Sequence, residues 1–466
     1  MPPLPRDPAE AQRVEHTRFR RRVLYSMHAQ DVRTRLIRSI GSTRTGAWGE
    51  PDMTSNPAWY TMSQLAALYR EIPEVTPPAG GEDVAAAVAE AGWWQLAQRN
   101  QRDCIGLNDH FVHVRLDDDG APTFRLVPPD MVEVAASPLS PAQPYCIKEW
   151  MRDPDDTQRW VQVTTDARSR SMFALDASGV DVTERVLGSS SLSGDAYPYI
   201  VAGKPVLPYI AYHAAASGYA LDPYSGREVF EGTIQLGVFY SFFAHILRNA
   251  AWGQRWILNA QPAGGDMDES GRRKEVISDP ATLLVLQQLE EGGTAPAQVG
   301  QFSPSIDPDK ILGSIERYER RLTEMALSNV GVSRRESDVR SAMSLAVSRE
   351  SQREAQRAYE PMFRRSDIHL LQLVAGLMGA PTDGWRIVYK SLPRDPAELQ
   401  AEMVLLNEKM DAGLLDKVSA YQQLHPGMTV AEARSAVAEI ARVNASLAPA
   451  PSIPAPFIPP MPGASP

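Results

Sequence analysis

His110 and His113 stand three residues apart in the run Asp109-His-Phe-Val-His-Val-Arg-Leu116. Two imidazoles can hold a transition metal when both rings reach one point. This run alternates like a strand, and in a strand a spacing of three sends the rings to opposite faces. The pair is therefore a poor metal site. Asp117-Asp-Asp-Gly120 follows it and lacks the ligand spacing of a calcium loop, so it reads as a hairpin turn. Cys104 has no histidine or basic activator near it in the sequence and reads as a buried thiol rather than a nucleophile. Met343, Met362 and Met378 fall at helical positions and read as core. The chain has no Gly-x-x-x-x-Gly-Lys-Ser/Thr loop, no Gly-x-Gly-x-x-Gly and no Gly-x-Ser-x-Gly. Nothing in it signals nucleotide hydrolysis, a catalytic residue, a metal or another cofactor.

The elements that carry these residues change period along the chain. Ala9 to Ile40 has helical periodicity and many arginines, among them Arg18, Arg20, Arg21 and Arg22, which read as a solvated or interface face. Ser42 to Pro57 is rich in Gly, Ser, Thr and Pro, as in a long loop. Met62 to Tyr69 and Glu82 to Arg99 read as helices. Phe111 to Leu116 and Thr123 to Val127 then form a hairpin pattern, with further strands at Tyr145 to Met151, Arg159 to Thr164 and Met172 to Leu175. Residues 105–215 are thus a β-rich module inside a helical protein.

Arg227 to Trp256 is helical and apolar nearly all round, which calls for burial on more than one side. Its most apolar part, Gly237 to Trp252, is shorter than a membrane span and holds His245 and Arg248. Gln261 to Gly271 reads as a polar loop, and Glu275 to Gln288 and Pro296 to Phe302 as short α/β elements. Asp307-Pro308 opens another helix with a cap and a first-turn proline. Val330 to Ser341 is polar and dense in charge. A long helix from Ala342 to Met378 contains Pro361, which removes a backbone hydrogen bond and predicts a kink. Trp385 to Tyr389 reads as a strand, followed by helices over Ala397 to Met410, Leu415 to Leu424 and Val430 to Val443. Thr429 with Glu432 makes a capping box. Ala448 to Pro466 is rich in Pro and Ala and reads as extended or disordered.

The chain has 466 residues, room for two to four domains, with 43% hydrophobic and 22% charged residues. Its net charge of -10 argues against tight nucleic-acid binding by the whole surface. Two cysteines exclude a disulfide framework and suit a reducing compartment. The N-terminus mixes Pro, Glu and Arg without an apolar segment, so no signal peptide is expected.

This order of elements resembles the portal proteins of tailed double-stranded DNA phages. The likeness runs over residues 20–445. It rests on Val276-Ile-Ser-Asp-Pro280-Ala-Thr-Leu-Leu, on Pro393-Arg-Asp-Pro-Ala-Glu398, on Asp411-Ala-Gly-Leu-Leu415 and on Leu424-His-Pro-Gly-Met-Thr-Val-Ala-Glu-Ala433. It implies an α+β, mainly helical fold. An α/β wing would span 1–226, a first stem helix 227–254, a small α/β clip 255–305 and a second stem helix 306–328. A tunnel loop at 329–340, a kinked helix at 341–379, a helical crown at 380–446 and a Pro-rich tail at 447–466 would follow.

What the resemblance implies is a non-enzymatic ring, of twelve subunits in the virion, at one capsid vertex. The ring would form in the host cytoplasm, pass DNA during packaging and ejection, and attach head to tail. Its partners would be double-stranded DNA held without sequence preference, the terminase, a head–tail adaptor, and the major capsid and scaffolding proteins, with no membrane. A sliding duplex tolerates few fixed phosphate contacts, and the charges from Asp309 to Glu350 are nearly balanced. On this resemblance Arg334, Arg335 and Arg340 of the tunnel loop face DNA, unless they pair with Glu336, Asp338 or a neighbouring subunit. Arg272, Arg273 and Lys274 would meet the adaptor or terminase at the clip, or else form a solvated charge run. A scaffolding or adaptor head protein is the alternative, and a head-associated hydrolase a weaker one.

Overall fold

A computed structural model describes residues 2–5, 7–40, 50–153, 156, 158–176, 178, 180–184, 197–215, 218–221, 228–252, 254–258, 260–262, 286–288, 298–302, 307–328, 342–390, 396–424 and 428–447. The fold is α+β: helices dominate, and the strands form several small antiparallel sheets. Two compact units divide the chain. One holds Met1–Glu336 and Ser348–Leu392, the other Ser337–Val347 and Pro393–Pro466.

In the first unit, α1 (Pro8–Leu24) starts where the Asp7 carboxylate accepts from the Ala9 amide at 3.2 Å. The chain turns at Ser26, whose φ is 55°, and α2 (Ala29–Ile40) follows. The helical pattern over Ala9 to Ile40 is therefore two helices, tied together by Arg22 donating twice to Asp31 at 2.9 and 2.7 Å. The arginine-rich stretch is not a solvated face. Arg20 is 1% exposed and donates to the carbonyls of Gly106 and Leu107 and to Asn108, closing the end of the helix over Trp93–Leu107. Arg18 is also buried, and Arg21 pairs with the buried Asp130 at 2.9 Å. Periodicity marked the face correctly but not its burial, because the partners lie about a hundred residues away.

The next helix, α3 (Pro57–Leu65), begins earlier than Met62, capped by Asn56 accepting from the Trp59 amide at 3.0 Å. It ends before Tyr69 because Leu68 donates its amide to the Gln101 side chain at 3.1 Å instead. Gly92, at φ 72°, splits the next pattern into α4 (Glu82–Glu90) and α5 (Trp93–Leu107).

The hairpin reads true: β2 (Asp109–Leu116) pairs with β3 (Pro122–Val127), and β10 (Tyr209–His213) adds to the other side of β2. A second sheet is a meander of β4 (Val132–Ser137), β5 (Ser140–Arg152), β6 (Trp160–Asp166) and β7 (Arg170–Leu175). Strand β4 was not legible: its Glu and Ala residues are weak strand formers, and the long β5 supplies the pairing. The two-residue strands β8 (Ile200–Val201) and β9 (Lys204–Pro205) pair with each other. One large apolar core gathers side chains from Val23 to Tyr389 and binds the helices to the first sheet. A short strand, β1 (Glu74–Thr76), pairs with β15 (Arg386–Val388), so the chain returns to its beginning within this unit.

The second unit holds α9 (Pro396–Asp411), α10 (Lys417–Leu424) and α11 (Val430–Leu447). Helix α9 ends with Gly413 at φ 69° and the Leu414 amide bonding back to the Lys409 carbonyl at 2.9 Å. The capping box forms as read: Thr429 donates its amide to Glu432 at 2.8 Å, and the Glu432 amide reaches the Thr429 hydroxyl at 3.3 Å.

Candidate functional site, a helical hairpin with a β tip

Helix α6 (Glu228–Trp252) runs directly into β11 (Gln254–Leu258), and β14 (Gln298–Phe302) leads back to α7 (Pro308–Ser328). Gln254 and Trp256 are in the strand, so the helix stops two residues short of the expected Gln254. Strands β11 and β14 pair antiparallel, Gln254 opposite Phe302 and Leu258 opposite Gln298. Beyond them β12 (Ala260–Pro262) pairs with β13 (Leu286–Gln288). Gln261, read as loop, is in β12.

The helices pack in the same antiparallel sense as the ladder. Gly232 faces Leu322 so closely that any Cβ would collide with it. About two turns further along α6, Phe239 meets Tyr318 edge to face at 5.5 Å, and Tyr240 donates to Glu319 at 3.0 Å. Burial and that carboxylate push the Tyr240 phenol up to about 12. Glu319 also accepts from Ser55 at 2.5 Å. The Thr233 hydroxyl accepts from the Ala58 amide at 3.2 Å, and the Ser241 hydroxyl from the Asp52 amide at 2.9 Å. A Cβ on Gly237 would lie 2.8 Å from Val32. The base of the hairpin is thus fixed against α2, α3 and the segment before α3.

The start of α7 follows from its sequence: Asp307 accepts from the Lys310 amide at 3.3 Å, and Pro308 occupies the first turn. Ile315 and Leu322 are buried, while Lys310, Arg317 and Arg321 are exposed. Spacings of seven and four bring those three cations to one side of the helix. The sequence carried this stripe, but only the burial of Ile315 and Leu322 shows which side is wet. The expected contact residues, Arg334, Arg335 and Arg340 and the set Arg272, Arg273 and Lys274, lie outside the described residues, as does the tail after Leu447. Pro361 lies on an exposed side of α8 (Ala342–Leu377).

In the first unit, α8 brings Asp367 to zero exposure among three tyrosines. Tyr69 and Tyr389 each donate to one carboxylate oxygen at 2.6 Å, and Tyr212 to the other at 2.7 Å. Burial dominates and pushes the Asp367 carboxyl up to about 6, although the three phenols favour its charged form. Each phenol is pushed up in turn by burial and by the carboxylate. No sequence signal joins residues so far apart. An open groove of about 1190 Å³ adjoins this helix, between α8 (Met362, Arg365, His369) and β10 (Tyr209, Ala211, His213).

The two histidines part as expected. His110 faces Asn100 at 2.7 Å, and burial pushes it down to about 4. His113 stacks near Tyr209 beside Arg125, and burial and that cation push it down to about 3. Both stay neutral. Cys104 is buried. Among the described residues, no group of His, Cys, Asp and Glu could hold a metal ion, and no helix is long and apolar enough to cross a membrane.

No protein-family profile matches the chain, and no curated protein is similar to it. Among solved structures, one chain of the virion of a native gene transfer agent particle is similar, with a TM-score of 0.41 and 13% identity. The likeness covers 80% of this chain and 91% of that one.

Proposed function

We propose that this chain is a portal subunit of a phage-like particle, a non-enzymatic virion protein that closes into a ring around a DNA channel. The observation that carries the proposal is the hairpin. Two long helices pack antiparallel, their register continues into a β ladder at the tip, and a long proline-containing helix follows. A hairpin of this kind, repeated around an axis, makes a tube whose β tips form one rim. Head-to-tail contacts close such a ring when their rotation closes.

In this arrangement α6, whose Ala244 and Leu247 are exposed, supplies apolar surface to a neighbour. Helix α7 supplies polar surface. Cations interspersed with Asp309, Glu316 and Glu324 on that helix keep contact with a duplex weak and independent of sequence, as sliding requires. The β tip and the charged segment at 272–274 would meet the terminase or adaptor, and 329–340 would line the bore with Arg334, Arg335 and Arg340. Twelve copies, capsid and scaffold partners and a place at one vertex complete the proposal. In this proposal a separate motor drives the DNA.

The test is the purified chain, sized by light scattering and imaged in negative stain. Closed rings with a central hole are expected. A monomer at every concentration sinks the proposal.

A further inference from the structure

The groove between α8 and β10 lies within the first unit and takes no part in the helical hairpin. Its walls are fixed. The Ser366 hydroxyl donates to the Ala211 carbonyl at 2.9 Å, which pins α8 to β10. Further along α8, Gly376 meets Val201 of β8 so closely that a Cβ would collide with it, which seats the β8–β9 pair on the helix. His213 lines the groove, its ring held through Nδ1 by the buried Asp109 at 2.7 Å. That bond leaves Nε2 as the ring atom for a ligand. Arg365 and His369 are four residues apart, on one side of α8, and also line the groove. Arg365 is exposed, and among the described residues it pairs with no acid. Such a groove is formed in advance of any occupant, which lowers the cost of binding one.

Size, polarity and charge together define the occupant. About 1190 Å³ exceeds the roughly 300–1,000 Å³ of a small-molecule site, so the space fits a length of polypeptide. Met362 and Ile368 on α8, with Val206 and Leu207 before β10, give it apolar surface that a phosphate backbone cannot use. Because Ser366 already holds the middle of the β10 edge, a bound segment does not add to the sheet as a strand and is recognised by its side chains. Arg364 is taken up by Glu360, and Asp383 is the one acid among the described lining residues. Arg365 is therefore the open charge, on a chain whose net charge is -10. A local cation of this kind draws an acidic partner and rejects a basic one.

We propose that the groove between α8 and β10 binds an acidic segment of a partner protein, which sets apolar side chains against Met362, Ile368, Val206 and Leu207 and a carboxylate on Arg365. The inference goes beyond the ring proposed above and does not need it, since every residue named belongs to one chain.

Fluorescence anisotropy on the full-length chain tests it, with labelled peptides of about ten residues that alternate Val with Glu, or Val with Lys. The Glu peptide should bind saturably, at least about tenfold more tightly than the Lys peptide. Arg365→Glu should weaken it at least about tenfold, and Arg365→Lys much less. Arg33→Glu, an exposed change on α2 outside the groove, should leave it unchanged. Thermal unfolding of Arg365→Glu at the wild-type temperature shows that the fold is kept. Bound Glu peptide should also slow amide exchange over 206–213 and 361–373. No saturable binding, equal binding of both peptides, or an unchanged affinity in Arg365→Glu overturns the inference. So does a short DNA duplex that competes the Glu peptide away, because the groove would then be a phosphate site. Binding to the monomer that vanishes in assembled rings assigns the groove to a neighbouring copy, which overturns this inference and leaves the ring standing. Binding by a chain that never forms rings sustains it while the ring proposal falls.

Discussion

Two hydrogen-bonded carboxylates show how differently the two units are held. Asp367, in the first unit, is fully buried, and three phenols from distant segments converge on it. Glu432, in the second, lies on the surface, and its partner Thr429 is three residues away. Burial pushes the first up to about 6, whereas the Thr429 amide and hydroxyl hold the second below the ordinary carboxylate range. The first unit is built from long-range contacts around a large core. Among the described residues, the second shows local helix chemistry, and its buried apolar side chains are Leu406, Ala420 and Ala433. A substitution in the first should therefore act on the whole unit, and one in the second on its own helix.

Phe363→Ala should have the largest effect. Phe363 is fully buried and its ring meets those of Tyr69, Tyr212 and Tyr359. Its loss leaves a cavity at the hub and should cost about 4 kcal/mol of first-unit stability in urea unfolding. A loss under about 1 kcal/mol would mean that the hub is loosely packed, and the contrast between the units would fail.

Ionisation of Asp367 comes next. Its folded value, about 6, lies above the ordinary carboxylate value of 3.8. Between those two pH values the folded chain keeps the proton while the unfolded chain loses it. Stability therefore falls as pH rises from about 4 to about 6, by up to about 3 kcal/mol, and is level above that. Asp367→Asn should flatten this slope while keeping the fold. An unchanged slope would assign the dependence to other groups.

How much of this was legible depends on the range of the interaction. The capping box, the Asp307-Pro308 start, the β2–β3 hairpin and the long helices are local signals, and they read correctly. The hairpin of α6 and α7 was visible as an apolar helix and a one-faced helix around a short α/β segment. Arg20 misled, because a basic stretch reads as solvated unless its acceptors are known, and Gly106 and Leu107 lie far along the chain. Asp367 gave no signal at all. A lone aspartate in a charged helix looks exposed until Tyr69, Tyr212 and Tyr389 are brought to it. The β1–β15 pairing was invisible for the same reason, since each strand is three residues long and the partners are some three hundred residues apart.

Leu406→Ala probes the second unit directly. Leu406 is its largest buried apolar side chain among those described. The substitution should cost about 2 kcal/mol, at the low end for a buried leucine because so little packs around it. Faster amide exchange confined to 396–447 is the expected readout. Faster exchange in α5 or α8 as well would show that the units share stability, against the contrast drawn here.

Thr429→Ala should act on the shortest range. It removes the hydroxyl that accepts from the Glu432 amide and donates to the Glu432 carboxylate. Exchange in the first turn of α11 should rise by about three- to tenfold, with no change in the first unit. Because these bonds hold the Glu432 carboxyl below its ordinary range, its contribution is present at neutral pH and is lost as pH falls through that lowered value. This is opposite in sign to Asp367. Acidification should thus loosen the start of α11 while the first unit tightens, and a common response of both units to acid would refute the division of labour between core and cap.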